Sequence, residues 1–150
     1  LIYDRVHHAV AAVHAGWRST VLRISEAVLQ AMADAYGTRP QDVEAAIGPG
    51  ISLEAFEVGD EVYEAFRMAG FPMEKIARRY PATGDGSGRM EKWHLDLWQA
   101  NRGLLEGCGV PSARIHLAGV CTYLHSERFF SARRLGIRSG RILNGIFLTD

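Results

Sequence analysis

The sequence predicts one domain of mixed α and β structure. Short apolar runs of strand length alternate along the chain with longer stretches in which apolar residues recur at helical spacing. The 150 residues suffice for a single core, which would bury roughly 70% of the surface that the unfolded chain exposes. No internal repeat or low-complexity segment interrupts the alternation, so a repeat architecture is not predicted.

The elements predicted for the first third of the chain are strand, helix, strand. The apolar run 9–13 has the length of a buried strand. Apolar residues at helical spacing predict a helix over 20–36, and Gly37 follows as a residue typical of a helix C-terminus. Another apolar run predicts a strand over 43–47. The succession suggests a crossover unit, although strand pairing cannot be read from sequence.

The middle of the chain is predicted to be mainly helical. Glycine and proline at 48–50 predict a rigid turn, and helices are predicted over 60–69 and 72–80. The glycine-rich stretch 83–88 predicts a surface loop. It is not a phosphate-binding loop, because no Gly-Lys-Ser/Thr sequence follows it.

The last third is predicted as a helix followed by strands. A helical pattern runs from Leu95 to residue 107, and Gly109 follows as a residue that stops the helix. Strand character is predicted for 114–120 and 142–148, with a shorter candidate at 129–131.

The overall composition excludes several classes of protein. Hydrophobic residues make up 47% and charged residues 23% of the chain, which is ordinary for a soluble globular protein. The 17 Lys and Arg balance the 17 Asp and Glu, so neither nucleic acid nor an anionic membrane is predicted as a partner. No apolar stretch approaches the roughly 18 residues of a membrane span.

The N-terminus and the cysteines bear on location and completeness. The chain opens on Leu1 rather than Met, and its first five residues resemble the middle of a strand, not a signal peptide. We therefore expect it to begin inside a domain. Cys108 and Cys121 form neither a disulfide framework nor the spacing of a structural zinc site. This favours a reducing, cytoplasmic location.

Most of the chemistry in the sequence is concentrated in 13–20, Val-His-Ala-Gly-Trp-Arg-Ser-Thr. His14 follows an apolar run, Gly16 permits a sharp turn, and Arg18 lies where the predicted helix begins. A metal-binding imidazole, a guanidinium and free helix-start amides would thus be gathered in a small volume. Such amides and an arginine can jointly hold phosphate or carboxylate.

Each of these residues also has a purely structural interpretation. The His14 ring could be satisfied by a backbone carbonyl, and one histidine cannot by itself make a catalytic zinc site, which usually takes three protein ligands. Arg18 could instead pair with Glu26 or Asp34. Trp17 is more often a packing residue than a stacking platform.

Other candidates lie in the second half of the chain. Asp96 is predicted to cap the helix that follows it, and His94 is not on the same helical face. Cys121 is by default a buried inert thiol, and it could act as a nucleophile only with a base or cation nearby, such as His125 or Arg133. Arg133 stands in the run Phe-Phe-Ser-Ala-Arg-Arg, which is either a solvated loop or a second anion-contacting element.

Several short motifs occur in a specific order over nearly the whole chain. They are His14-Ala15-Gly16-Trp17-Arg18, Ile47-Gly48-Pro49, Phe56-Glu57-Val58-Gly59, Leu95-Asp96-Leu97 with Asn101, Cys121-Thr122, Phe130-Ser131-Ala132-Arg133-Arg134 and Gly140-Arg141. This ordered set resembles the laccase-domain family, also called polyphenol-oxidase-like or YfiH-like and, in some bacteria, peptidoglycan editing factors.

The resemblance implies a fold and a metal site. The fold would be α+β, with mixed β-sheets packed together and helices on the outside. Residues 1–150 would be the C-terminal portion of one such domain, with its N-terminal part missing. The family site is a zinc, sometimes a copper, bound by two histidines and a cysteine. His14 matches the second histidine, and the two further ligands are expected upstream of Leu1.

The resemblance also implies an activity. This is zinc-dependent purine nucleoside phosphorolysis of adenosine or inosine, with adenosine deamination as a further activity and with purine nucleoside and phosphate as partners. His14 and Arg18 would be catalytic, and Gly16, Arg18, Cys121 and Arg133 would contact substrate. Multicopper laccase chemistry is rejected because the six histidines include no His-x-His pair.

Departures from the family pattern leave specificity and two other functions open. Ser19 stands where the family usually has Gly, Ala132 where it has Tyr, and Glu54-Ala55 where a Cys pair is frequent. The first alternative is a thiol hydrolase or amidase in peptidoglycan precursor editing, with His14 as the base of a cysteine outside this chain. The second is an inactive fragment or interaction module. Recovery by zinc after chelation would favour the metalloenzyme, and absence of zinc would favour the module.

Overall fold

The protein is described by a computed structural model that covers residues 1–81 and 91–149. Its strands are β1 (Ile2–Asp4), β2 (Ala9–Ala11), β3 (Val43–Ile47), β4 (Glu57–Val58), β5 (Ala77–Pro81), β6 (Glu91–Leu95) and β7 (Ile115–Leu117). Its helices are α1 (Trp17–Val21), α2 (Ile24–Tyr36), α3 (Asp60–Met68), α4 (Met73–Ile76), α5 (Leu97–Gly107) and α6 (Ala132–Leu135). The predicted loop over 83–88 lies outside the described residues.

Contacts within the chain divide it into two compact units. The first comprises Leu1–Gly48, Asn101–Gly119 and the residues from Ile142 onward, and the second comprises Pro49–Ala100 and Val120–Arg141. Each unit has its own sheet and its own buried apolar side chains. Strands and helices are both present, and one of the sheets is mixed, which confirms the α+β class.

The first unit is built on a mixed four-stranded sheet of order β2-β1-β3-β7. β1 runs antiparallel to both β2 and β3, whereas β3 and β7 are parallel. The strand predicted over 43–47 is confirmed as β3, and the run 9–13 is shorter, ending as a strand at Ala11. The chain passes from β2 to β3 through helices, as the predicted crossover unit requires. The two strands are not neighbours in the sheet, because β1 lies between them. The core residues of this unit are Ile2, Ala9, Leu29, Met32, Val43, Ala45, Leu105, Val110 and Ile115.

The helix predicted over 20–36 is two helices rather than one. α1 ends at Val21 and α2 begins at Ile24, because Arg23 takes a left-handed conformation with φ 58°. The Arg23 guanidinium pairs with Glu26 at 2.6 Å, in the first turn of α2. The predicted C-terminus of the helix is confirmed: Gly37 has φ 73° and donates its N–H to the carbonyl of Ala33.

The second unit contains a three-stranded antiparallel sheet of order β4-β6-β5. The helix predicted over 60–69 is confirmed as α3. Phe66 of this helix is fully buried, as are Ile76 and Leu95, and Phe66 meets Phe71 edge to face.

Two predictions in this unit are wrong, for the same reason. The helix predicted over 72–80 stops at Ile76, and the remaining residues form β5. Leu95, predicted to open a helix, ends the strand β6, and the helix begins at Leu97. β5 and β6 pair over five residues each, and such long-range pairing overrides weak local helix propensity.

The strand predictions near the C-terminus are also partly wrong. The strand predicted over 114–120 is confirmed only for Ile115–Leu117. The described residues of 129–131 and 142–148 belong to no strand, and Leu143 is 96% exposed. Apolar composition favours a strand, but a strand also requires a neighbour with which to form hydrogen bonds.

In the part of the chain that the structure describes, no helix has the length and apolar character needed to cross a membrane.

Candidate functional site

The segment from His14 to Gly16 is a tight loop held by the first turn of α1. Ser19 Oγ donates to the His14 carbonyl at 2.9 Å, and Thr20 Oγ1 donates to the Ala15 carbonyl at 3.3 Å. The backbone N–H of Thr20 donates to the Gly16 carbonyl at 2.8 Å. Three consecutive carbonyls are thus bonded to two adjacent residues. The hydroxyl side chains at the start of the helix explain why this short sequence folds as it does.

His14 carries an accessible imidazole on this loop. Its side chain is exposed, and among the described residues no hydrogen bond to its ring is present, so a satisfying backbone carbonyl is not found. A Cβ added at Gly16 would lie 2.9 Å from His14 Nε2. Glycine at this position therefore keeps the space beside that nitrogen open, as a ligating nitrogen requires.

Arg18 is the second residue of α1, the helix that follows this loop directly. The side chain is exposed, and its Cζ lies 4.3 Å from the centre of the Trp17 ring. Within residues 1–81 and 91–149 no ion pair involves Arg18. Glu26 and Asp34, which could have paired with Arg18, have other partners. Glu26 pairs with Arg23, and Asp34 accepts a hydrogen bond from the Gln30 side chain. The guanidinium is therefore free to bind an anion.

The helix that follows contributes less to anion binding than the sequence suggests. α1 has only five residues before the break, so its dipole is smaller than that of the predicted 17-residue helix would be. Any anion held here would depend mainly on the Arg18 side chain.

The described residues do not contain a complete metal site. No group of three or more His, Cys, Asp or Glu side chains close enough to share a metal occurs among them. His14 therefore supplies one imidazole, which is compatible with a ligand but does not make a three-ligand zinc site.

Cys121 belongs to the second unit, where the residue is 5% exposed. It forms a bridge with Gly50, and its sulfur accepts the Ser52 N–H at 3.3 Å. Burial raises the pKa of the Cys121 thiol, but the polar Ser52 side chain, the hydrogen bond from the Ser52 N–H and the N–H groups of Leu124 and Tyr123 outweigh it and lower the pKa overall. The sulfur is thus a hydrogen-bond acceptor that is shielded from solvent.

The other residues near Cys121 in sequence have partners of their own. The His125 ring pairs with Glu127 at 3.4 Å. Arg133, on α6, donates to the Glu57 carbonyl at 2.7 Å, and its Cζ lies 5.2 Å from the centre of the Phe56 ring. Contact of Cys121 or Arg133 with substrate remains a prediction.

Several polar residues are buried, which was not predicted from the sequence. His94 is 1% exposed and donates from Nδ1 to the Leu53 carbonyl at 3.1 Å. Thr20, Ser25 and Asn101 are buried together in the first unit. In the sequence, Asn101 could have been recognised as a polar residue on the apolar side of a predicted helix.

The helix-capping role predicted for Asp96 is confirmed, because the backbone N–H of Gln99 donates to the Asp96 carboxylate at 2.9 Å.

The two thiols are expected to differ in native-state reactivity. A maleimide or aromatic disulfide reagent at pH 8 should label half-buried Cys108 at least about tenfold faster than buried Cys121, because the reagent must reach the sulfur. Burial and the Glu26 carboxylate raise the pKa of Cys108, so its labelling rate should still be rising above pH 8.5. Mass spectrometry of the labelled protein gives both rates. Rapid native labelling of a Cys108→Ser variant would contradict the burial of Cys121.

Comparison with known proteins places this chain in a family. The family described as multi-copper polyphenol oxidoreductase laccase matches residues 1–149. A purine nucleoside phosphorylase of Bacteroides thetaiotaomicron is 53% identical over 148 residues, which are 99% of this chain and 52% of the relative. A protein named adenosine deaminase RL5, from an unknown prokaryotic organism, is 48% identical over 98% of this chain and 53% of its own length.

The fold is shared with a solved structure. The crystal structure of the Bacillus licheniformis hypothetical protein YfiH matches with a TM-score of 0.75 and 31% identity, over 89% of this chain and 47% of that one. This chain spans about half the length of the curated relatives it matches. The family resemblance predicted from the ordered motifs is confirmed: the chain belongs to the laccase-like family of multi-copper polyphenol oxidoreductases.

Proposed function

We propose that this chain forms part of the active site of a purine nucleoside phosphorylase, in which phosphate displaces the purine base from the sugar of adenosine or inosine. The observation that carries the proposal is that the exposed His14 imidazole, which makes no hydrogen bond within the described residues, lies four positions before the exposed Arg18 guanidinium, which makes no ion pair within them. The names of the relatives support the same activity.

Each of the five candidate site residues is given a role in this proposal. Arg18 would bind phosphate, since a guanidinium can donate two parallel N–H bonds to phosphate oxygens. His14 would be one ligand of a zinc, or of a copper, whose other two ligands are supplied from sequence outside this chain. Gly16 would keep Nε2 of His14 approachable. Cys121 and Arg133 are proposed as further substrate contacts, and a cytoplasmic location is proposed for the whole protein.

Adenosine deamination is a second candidate, because one relative is named an adenosine deaminase. In that reaction water replaces the amino group of the purine and ammonia leaves, so no phosphate is consumed. The two activities therefore differ in a property that is simple to measure.

The test is to incubate the purified protein with adenosine or inosine, with and without phosphate. Phosphorolysis predicts free purine base and sugar 1-phosphate in equal amounts, and only when phosphate is present. Deamination predicts inosine and ammonia from adenosine without phosphate. The variant His14→Ala should lose bound zinc and both activities. The proposal fails if the wild-type protein binds zinc stoichiometrically and still releases no base in the presence of phosphate.

A further inference from the structure

We infer that Thr20 and Asn101 are positioning residues, which hold the His14–Gly16 loop in place through a chain of buried hydrogen bonds. The observation behind this is a cluster of three buried polar side chains in the first unit. Thr20 is 0% exposed, and Ser25 and Asn101 are each 4% exposed. Buried polar groups are costly unless they are paired, so such a cluster is retained only where its bonds are made.

The hydrogen bonds run in one direction from α2 to the loop. Ser25 Oγ donates to Asn101 Oδ1 at 3.0 Å, and Asn101 Nδ2 donates to Thr20 Oγ1 at 3.0 Å. Because the Thr20 hydroxyl accepts the amide proton, its own hydrogen is directed to the Ala15 carbonyl. Asn101 suits the central position, since its side chain donates and accepts at once.

The chain of bonds spans the break between two helices. Thr20 is in α1 and Ser25 is in α2, and Arg23 lies between them in its left-handed conformation. Asn101 therefore ties together the residues on either side of the break. Ser25 supports Asn101 from the α2 side, whereas the bonds from Asn101 to Thr20 and from Thr20 to Ala15 are the ones that reach the loop carried by α1.

At its far end the chain of bonds acts on the residue between His14 and Gly16. The Ala15 carbonyl is held only by the Thr20 hydroxyl among the described hydrogen bonds, whereas the carbonyls on either side are held by Ser19 and by a backbone N–H. Loss of that hydroxyl would free the Ala15–Gly16 peptide, which begins one residue after His14. The imidazole would then be held less firmly, by the Ser19 bond to the His14 carbonyl alone.

Two matched variants test this arrangement. Thr20→Val removes the hydrogen bond to the Ala15 carbonyl. Ser25→Ala removes a bond of the same buried cluster, but it leaves the bonds from Asn101 to Thr20 and from Thr20 to Ala15 intact. Both should lower the melting temperature. Only Thr20→Val should move the NMR signals of the His14 ring and broaden them, and Thr20→Ser, which keeps the hydroxyl, should restore them.

The kinetic consequence rests on the proposed function, but the NMR consequence does not. If the protein is a phosphorylase, Thr20→Val should raise the KM for phosphate about tenfold with a smaller effect on kcat, because displaced groups bind substrate less well. Ser25→Ala should leave that KM unchanged. Absence of phosphorolysis in the wild-type protein would refute the proposed function and leave the NMR comparison decisive for the positioning role.

Three results would overturn the inference. The first is a Thr20→Val protein whose His14 signals match those of wild type. The second is a Ser25→Ala protein whose His14 signals move as far as those of Thr20→Val. If Thr20→Val does not fold, Asn101→Ala replaces it, since it removes the donor that orients the Thr20 hydroxyl. Unchanged His14 signals in that variant would be the third.

Discussion

Under the proposed phosphorylase function, replacing Arg18 by alanine is expected to raise the KM for phosphate by about 10- to 100-fold, since hydrogen bonds to a charged group contribute about 1.5–3 kcal/mol. The guanidinium is exposed and free of ion pairs in the described structure, so its removal should cost binding energy and almost no stability. Initial rates of base release over a range of phosphate concentrations measure the effect, and thermal unfolding monitors the fold.

Two further variants make this result specific. Arg18→Lys keeps the charge and loses the two-pronged geometry, so its KM should fall between those of wild type and alanine. Arg67 lies in the second unit, where its exposed side chain pairs with Glu64. Arg67→Ala should therefore leave the KM for phosphate unchanged. A phosphate KM for Arg18→Ala equal to that of wild type would exclude Arg18 from phosphate binding.

Replacing Asp4 by alanine is expected to lower the free energy of unfolding by about 3 kcal/mol, the range for loss of a buried charged group that accepts several hydrogen bonds. Asp4 is fully buried at the end of β1. Its carboxylate accepts the N–H of Val6 at 2.9 Å and that of His7 at 3.1 Å, and it contacts the His7 ring at 2.8 Å. These bonds shape the turn between the first two strands. Urea denaturation of the two proteins measures the difference.

Asp4 also predicts how stability depends on pH. Burial raises the pKa of Asp4, but the polar Thr38 side chain and the hydrogen bonds from His7 and Val6 outweigh it and hold the pKa well below its ordinary value. The folded state therefore favours the ionised form. Its contribution is complete above the pKa of about 3.9 of an unfolded aspartate and is lost as the pH falls through the folded pKa.

The matching control separates charge from hydrogen bonding. Asp4→Asn keeps an acceptor for the turn but cannot titrate, so its unfolding free energy should be lower than that of wild type at pH 7 and should decline less between pH 5 and pH 2. Exposed Asp34→Asn should retain the wild-type decline. An equal decline in Asp4→Asn and wild type would show that Asp4 is not the group responsible.

Local sequence patterns were sufficient for some of the elements. β3 has the predicted limits, α3 ends within one residue of them, and Gly37 ends α2 as expected. Each depends on interactions between near neighbours, such as helical spacing or the ease with which glycine adopts positive φ. The stretch around His14 and Arg18 was identifiable for the same reason, because all of its chemistry lies within a few consecutive residues.

Interactions between distant residues decided the rest. β5 replaced a predicted helix because β6 lies beside it, and the segment 142–148 forms no strand because no described strand pairs with it. The break at Arg23 is spanned by bonds from Asn101, which is 76 positions from Ser25. Sequence alone thus determined the family, the α+β class and the loop that carries the candidate ligand. Only the tertiary structure showed which buried groups hold that loop, because hydrogen bonds between residues far apart in the chain leave no periodic trace in the sequence.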